Sequence, residues 1–185
     1  MRTSILGVWN FQDEQAVRRN TEIGCQITHY DPRCVGSCVC ATSIIQQLLL
    51  GADDLPALVA ITQDAGNLYD ARIAEYIELA RQPEISKLEL DQYEKIGYTL
   101  KALGASIWAL LHANNFREGL LAVIHEGGDA DTNAAVAGAI LGAKFGYGGI
   151  PEEWANGLLR KNELEARVNA LLDLNCGQSA DESPA

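Results

Sequence analysis

Apolar residues recur at helical spacing along most of this chain, and this periodicity restricts the fold more than any other feature. From Leu100 to Leu111 they stand at i, i+3, i+7, i+10 and i+11, which places them on one face of an α-helix. No segment of the sequence shows the sustained alternation of apolar and polar residues that is typical of a half-buried strand. The sequence therefore predicts an all-α fold.

Shorter patterns predict where further helices begin and end. Apolar stripes of the same kind occupy residues 44–49, 116–124 and 164–172. Asn114-Asn115 is expected to form a turn between two helices, and Asn162 is placed to cap the last one. Pro151 predicts a separate helix start, since proline suits the first helical position. We find no internal repeat and no linker that would divide the chain.

Composition and charge exclude several classes of protein. The chain has 185 residues, a formal net charge of −11 and 48% hydrophobic residues, the profile of one globular domain. No cluster of lysine and arginine forms the cationic patch of a nucleic-acid-binding protein. The richest apolar segment, residues 134–143, is about half as long as a membrane span. The first residues turn acidic too early, at Asp13, for a signal peptide, so we expect a cytoplasmic protein.

Three of the five cysteines crowd together as Cys34, Cys38 and Cys40. Cys34 and Cys38 stand four residues apart and share one face if this segment is helical. The spacing matches neither a zinc knuckle nor an iron–sulfur motif. Reduced, buried thiols are therefore the simpler interpretation.

An acidic loop, Gly127–Asn133, precedes a segment of small residues. It offers three hard oxygen donors of the kind that Mg²⁺, Mn²⁺ and Ca²⁺ prefer: Asp129, Asp131 and Thr132. The alternative is that an aspartate only caps the following helix. An EF-hand also begins Asp-x-Asp-x-Asn, but it needs glycine and glutamate where this chain has Ala134 and Ile140. The EF-hand interpretation therefore fails, while the metal site and the helix cap both stay open.

The segment after this loop, residues 134–143, is predicted to be a helix of unusual composition. Gly138 and Gly142 each cost such a helix about 0.5–1 kcal/mol relative to alanine. A sequence that keeps both glycines predicts close approach of another backbone. We therefore expect a tightly packed central helix that forms a buried floor beneath the acidic loop.

The whole run Gly127–Ala143, acidic loop and small-residue helix together, closely resembles the C-terminal signature of the ADP-ribosylglycohydrolase family. Further matches follow in the family's order: Thr28-His29-Tyr30-Asp31-Pro32, Ile96-Gly97-Tyr98-Thr99 and Ile150-Pro151-Glu152-Glu153-Trp154. The resemblance extends from the first residues to about Leu172. It implies an orthogonal bundle of helices around a site for two metal ions, usually Mg²⁺, with Mn²⁺ as the other candidate.

The resemblance also implies an activity and a set of site residues. Members of the family hydrolyse the glycosidic bond between ADP-ribose and a modified acceptor, so the expected partner is ADP-ribose or an ADP-ribosylated protein. Three residues match the family's C-terminal metal ligands: Asp129, Asp131 and Thr132. Three others match positions near the bound ADP-ribose: His29, Gly97 and Tyr98. No catalytic residue is assigned.

The sequence departs from the family at its N-terminal side. The family's Thr-Asp-Asp segment, which supplies further metal ligands, has no match here. Asp53-Asp54 follows the His29 segment, in the wrong order, and is interpreted as a turn and a helix cap. Met1-Arg2-Thr3 resembles the end of the family's Gly-Asn-Gly-x-x-Met-Arg loop, so the chain is expected to begin partway through the fold.

Residues 1–175 are therefore expected to form a partial domain, followed by a flexible tail over residues 176–185. On this interpretation the chain is an active hydrolase only when an upstream segment completes it. The alternative is an ADP-ribose-binding module with impaired catalysis, or a truncated remnant that lacks half of the metal site.

Overall fold

The structure, a computed structural model, describes residues 2–177, and every regular element within them is helical. The α-helices are α1 (Glu14–Gln26), α2 (Pro32–Leu49), α3 (Leu55–Asn67), α4 (Arg72–Ala80), α5 (Thr99–His112), α6 (Phe116–His125), α7 (Ala130–Phe145), α8 (Glu152–Asn156) and α9 (Lys161–Gly177). Short 3₁₀ segments lie at Ser4–Gly7, Ile85–Leu88, Tyr93–Lys95 and Tyr147–Gly149. The predicted all-α fold is confirmed. Most of the tail predicted over residues 176–185 lies outside the described residues.

Side-chain caps fix where several of these helices begin. The Asp54 carboxylate accepts a hydrogen bond from the Ala57 backbone N–H at 3.0 Å, which confirms the interpretation of Asp53-Asp54 as a turn and a cap. Asn115 caps α6 in the same way, through the Glu118 backbone N–H at 2.8 Å. Each such cap stabilises its helix by about 0.5–2 kcal/mol.

α8 begins one residue later, and α9 two residues earlier, than the sequence predicts. α8 starts at Glu152, so Pro151 is the residue before its first turn rather than the first helical residue. α9 starts at Lys161, and Asn162 therefore lies inside the helix and is not its cap. Arg160 has a left-handed backbone with φ of 59°, so the chain turns sharply and the helix starts directly after it.

The core is built around α5 and α7, which contribute to both hydrophobic clusters of the described chain. The larger cluster packs these two helices against α2, α3 and α4, with Ile44, Ile73 and Ile107 fully buried. The smaller cluster joins them to α6 through Val123 and Leu141. Along residues 2–177, no helix combines the length and the apolar character needed to cross a membrane.

α7 is central, but no backbone of the described chain packs closely against its glycines, as the sequence predicts it should. A Cβ at Gly138 would meet Leu120 Cδ1 at 3.6 Å, an ordinary van der Waals distance. A Cβ at Gly142 would have no atom of the described chain within 4 Å. Within residues 2–177 that prediction is wrong, and crowded glycines lie on other helices: Cβ atoms at Gly36 and Gly66 would stand 2.5 and 2.6 Å from the side chain of Ile73.

Candidate functional site

Three neighbouring cavities share Gly97, which lies in the loop before α5. The cationic cavity, about 680 Å³, is lined by five cations and three glutamates, with two tyrosines: Arg33, Arg72, Lys87, Lys95, Lys101, Glu75, Glu89, Glu94, Tyr76 and Tyr98. The His29 cleft, about 480 Å³, is lined by Arg2, Thr28, His29, Arg33 and Tyr98, with three cysteines. The acidic cavity, about 140 Å³, is lined by Thr3, Gly97, Asp129 and Thr132 among others. Five of the six predicted site residues, all except Asp131, thus come from distant parts of the chain to these adjoining cavities.

Gly97 brings the start of α5 against the start of α7. Its φ of 76° lies in the left-handed region, which glycine adopts without steric cost. A Cβ at this position would lie 3.5 Å from Asp129 Oδ2, so the loop passes directly beside that carboxylate. Two residues matched by separate motifs, Gly97 and Asp129, are therefore neighbours in space.

The acidic residues of the loop Gly127–Asn133 differ in their surroundings. Asp129 precedes the first turn of α7 and is half-buried, yet its side chain makes no capping hydrogen bond to that helix. Asp131 is exposed, and its Oδ1 accepts the backbone N–H of Thr132 at 2.9 Å. Capping therefore does not account for Asp129, whose carboxylate faces the acidic cavity with Thr132.

These oxygen donors match Mg²⁺ in kind. Carboxylate and hydroxyl oxygens are hard ligands, and Mg²⁺ usually keeps several waters while taking only one or two carboxylates from a protein. Within residues 2–177, no group of three or more His, Cys, Asp and Glu side chains is close enough to hold a metal ion. Asp129 and Thr132 line the acidic cavity together, whereas Asp131 is exposed and does not line it, so the structure brings two of the three predicted ligands to one cavity.

His29 lies in the loop between α1 and α2, in a small polar network. Its Nδ1 lies 2.7 Å from Thr28 Oγ1, and the Arg2 guanidinium donates to the same hydroxyl oxygen at 2.8 Å. Arg2 also donates to the Gly24 carbonyl at 2.8 Å, which holds it against α1. A cation and an exposed imidazole therefore face the His29 cleft side by side.

Arg33 and Tyr98 form the wall between the His29 cleft and the cationic cavity. The Arg33 guanidinium lies 5.7 Å from the centre of the Tyr98 ring, and the Tyr76 ring packs edge-on against Tyr98 at 5.6 Å. Arg33 also donates to both Asp31 carboxylate oxygens. These hydrogen bonds hold the pKa of the Asp31 carboxyl well below its usual range and raise the pKa of Arg33. Arg33 therefore remains a cation with a fixed orientation.

Sequence reasoning missed Arg33 and misjudged part of the cysteine cluster. Arg33 directly follows Asp31-Pro32, a helix-start pattern that predicts a cap but gives no sign of the neighbouring Tyr98. The interpretation of buried thiols holds for Cys40, whereas Cys34 and Cys38 are half-buried in the wall of the His29 cleft. Their helical spacing shows a shared face but cannot show which cavity that face meets.

Comparison with known proteins gives the family. The family model described as ADP-ribosylglycohydrolase matches residues 1–181. The chain belongs to the ADP-ribosylglycohydrolase family. The resemblance that the motifs from His29 to Trp154 indicate is therefore confirmed at the level of the family.

Individual relatives of this ADP-ribosylglycohydrolase chain are distant in sequence and longer. An uncharacterized protein of Archaeoglobus fulgidus is 31% identical over 179 residues, which cover 95% of this chain and 57% of the relative. ADP-ribosylarginine hydrolase Tri1 of Serratia proteamaculans is 27% identical over 137 residues, 74% of this chain and 35% of the relative. ADP-ribosylhydrolase ARH3 of Gallus gallus is 28% identical over 160 residues, 74% of this chain and 42% of the relative. The chain thus spans about half, or less, of these relatives.

Proposed function

We propose that this chain is part of a hydrolase that cleaves the glycosidic bond between ADP-ribose and a modified acceptor. The observation that carries the proposal is that Gly97 lines all three cavities, so the cationic cavity and the His29 cleft both adjoin the acidic cavity. ADP-ribose presents both complementary chemistries, since it has an anionic pyrophosphate, an aromatic base and sugar hydroxyls.

The pyrophosphate has a cationic counterpart in the His29 cleft. The chain as a whole has a formal net charge of −11, yet Arg2 and Arg33 both line this cleft. Guanidinium groups bind phosphate oxygens through paired hydrogen bonds, and both of these are already oriented by contacts with the protein. Tyr98 offers its ring beside Arg33, and His29 offers an imidazole at the rim. These residues would bind and orient the nucleotide.

We propose that Mg²⁺, or Mn²⁺ in its place, is held by Asp129, Asp131 and Thr132. When bound, such an ion orients ribose hydroxyls and lowers the pKa of a coordinated water. The protein's own contribution is the position of the Asp129 carboxylate, which the left-handed Gly97 and the start of α7 fix beside the cleft. No catalytic acid or base is assigned among the described residues.

The acceptor side is best tested first with arginine. The Serratia proteamaculans relative is named for ADP-ribosylarginine. A linkage to the guanidinium of arginine is therefore the first acceptor that we propose for this chain.

A binding module that recognises ADP-ribose without cleaving it is the second candidate. The observation that favours it is the incomplete cluster of metal ligands within residues 2–177. Such a module would bind ADP-ribose in the His29 cleft but would release no product.

Two measurements on the same samples distinguish these functions. Calorimetry would measure ADP-ribose binding with and without Mg²⁺, and chromatography would measure release of ADP-ribose from ADP-ribosylarginine. We expect binding that Mg²⁺ strengthens and that Asp129→Asn weakens about tenfold or more, equivalent to about 1.4 kcal/mol. Asp64→Asn, on the exposed face of α3, is the charge-matched control. It should change neither the binding nor the release of ADP-ribose. Binding without release would favour the module, and no heat from ADP-ribose in either condition would overturn both.

A further inference from the structure

The cationic cavity lies across Arg33 and Tyr98 from the His29 cleft, and the proposed function gives it no ligand of its own. Two of its cations are shielded from water, since Lys101 is 3% exposed and Arg33 is half-buried. The other charged residues of its wall are exposed: Arg72, Lys87, Lys95, Glu75, Glu89 and Glu94. Because water screens exposed charges more than buried ones, Lys101 and Arg33 dominate the potential inside the cavity.

The Lys101 ammonium stands in an unfavourable place for a cation. It belongs to the first turn of α5, at the positive end of the helix dipole. Burial lowers the pKa of Lys101 below its usual value, and this effect outweighs the attraction of the carboxylates around it. None of the ion pairs formed within residues 2–177 includes this lysine. A buried cation without an anionic partner costs free energy, so an anion beside it would stabilise it.

The hydrogen-bonding capacity of Lys101 is only partly used. An ammonium has three N–H donors, and one of them is donated to the Glu89 carbonyl. Glu89 and Lys101 both line the cavity, so this hydrogen bond holds Nζ at the cavity wall. Along the part of the chain that the structure describes, Nζ has no second acceptor, and two donors therefore remain for a ligand.

The charge of the wall selects the kind of anion. Five cations and three glutamates line the cavity, an excess of two positive charges. A phosphate group carries about −1.5 to −2 charges at neutral pH and has three acceptor oxygens, so it matches this excess better than a single carboxylate does. We propose that the cationic cavity binds a phosphate group, free or carried by a small ester, through Lys101 and Arg33, at a site separate from the His29 cleft.

The cavity has room for more than the phosphate itself. Its volume of about 680 Å³ lies in the range of pockets that take small organic ligands. The rings of Tyr76 and Tyr98, with Leu79 and Leu88, give it an aromatic and apolar wall. Inorganic phosphate and phenyl phosphate are therefore the two probes. Several-fold tighter binding of phenyl phosphate would assign the site to an ester, and equal affinities would assign it to free phosphate.

Calorimetry of the full chain with each probe tests the site. Sodium chloride keeps the ionic strength constant, so that screening does not change during the titration. We expect saturable binding that Lys101→Met weakens about tenfold or more, because the variant removes a charged donor. Arg167→Met removes the same charge from exposed α9 and should leave the affinity unchanged. No heat from either probe, or equal affinities of Lys101→Met and the original chain, would overturn the proposal.

Two exposed positions keep the test decisive if Lys101→Met fails to fold, which circular dichroism would show. Glu75→Gln removes an opposing charge from the cavity wall and should strengthen phosphate binding several-fold. Arg72→Gln removes a favourable charge from the same wall and should weaken it by a similar factor. If neither substitution changes the affinity, the phosphate does not bind in this cavity and the proposal fails.

Arg2→Met distinguishes the two neighbouring cavities, since Arg2 lines the His29 cleft. A loss of phosphate affinity in Arg2→Met that Lys101→Met does not share would place the anion in the His29 cleft and overturn the proposal. The phosphate site does not rest on the proposed function. Phosphate binding that depends on Lys101 while ADP-ribose gives no heat would keep the site and refute the function, and binding of ADP-ribose alone would do the reverse.

Discussion

Gly128 lies so close to the main chain of Leu90 that a Cβ at position 128 would overlap the Leu90 carbonyl. The contact holds the acidic loop Gly127–Asn133 against the segment after the 3₁₀ turn Ile85–Leu88. Gly128 also has a φ of 64°, so both its conformation and its surroundings require glycine. Because Asp129 follows directly, this contact sets where the carboxylate stands at the start of α7.

Gly128→Ala should therefore destabilise the chain much more than Gly127→Ala. Gly127 has a similar φ of 72°, but no atom of residues 2–177 would lie within 4 Å of an added Cβ, so alanine there costs only the left-handed backbone, about 1–2 kcal/mol. At Gly128 the overlap with Leu90 adds about 1–3 kcal/mol. Urea unfolding of the two variants measures the difference, and equal losses would contradict the contact.

Gly142→Ala should stabilise the chain by about 0.5–1 kcal/mol, because alanine favours the helix and the site has room. Gly66→Ala is the opposite case. Its Cβ would stand 2.6 Å from Ile73 Cγ2 and 2.9 Å from Cys40 Sγ, so we expect a loss of about 1–3 kcal/mol despite the better helix propensity. Thermal unfolding of both variants tests the pair. A loss of stability in Gly142→Ala would show that the space around α7 is filled.

Gly142 and Gly66 show what the sequence can and cannot predict. The periodicity of apolar residues predicts α5 well, because the face that a helix buries is determined by its own residues. The small residues of α7 also predict a central helix. Which glycine is needed for packing depends on the opposing surface, and for Gly66 that surface is Ile73, on another helix. A local pattern contains no information on such a neighbour.

The candidate site, too, could be predicted only in part from the sequence. The motifs indicate Gly97 and Asp129 as site residues, and the structure brings them together. The sequence does not reveal the neighbours of Arg33, or that Cys34 and Cys38 are only half-buried, because these surroundings depend on how α2 meets α1 and the loop before α5. The two-residue difference at the start of α9 has a local cause, the left-handed Arg160.

Arg33→Met should weaken ADP-ribose binding if the proposed function is correct. The guanidinium is held by Asp31 and lies over Tyr98, so methionine would keep part of the packing while removing the donors. Charged hydrogen bonds contribute about 1.5–3 kcal/mol, which corresponds to a loss of about tenfold or more in affinity. Arg167→Met, on exposed α9, removes the same charge from a residue that lines none of the three cavities and should leave affinity unchanged. Equal affinities of the two variants would remove Arg33 from the site.

The pair of Asp70 and Arg72 gives a prediction for acid pH. Side-chain hydrogen bonds from Arg72, followed by its backbone N–H, lower the pKa of Asp70 from 3.8 to about 2. Because the folded pKa is below the unfolded one, the contribution of the pair is present above pH 3.8 and is lost as the pH falls towards 2. Carboxyl-detected NMR titration should show Asp70 near 2, moving towards 3.8 in Arg72→Gln and unmoved in Arg117→Gln.

Lys144, on the neighbouring α7, caps the C-terminal end of α5. Its Nζ donates to the Leu110 carbonyl at 2.8 Å and to the Ala113 carbonyl at 2.9 Å, groups that a helix end leaves without partners. Lys144→Met keeps the length of the side chain but removes both hydrogen bonds, so we expect a loss of about 1.5–3 kcal/mol in the free energy of unfolding. Lys87→Met, at an exposed position, should change it by less than about 0.5 kcal/mol.

The same lysine makes the effect depend on pH. Burial lowers the pKa of Lys144 below 10.5, so the folded chain releases this proton at a lower pH than the unfolded chain. Between the two pKa values the unfolded state holds more protons, and stability from this group therefore rises with pH towards 10.5. Urea unfolding of the original chain and of Lys144→Met, from pH 7 to 10.5, should show a difference that widens with pH. A constant difference would mean that Lys144 titrates alike in both states and that its ammonium is not desolvated at the end of α5.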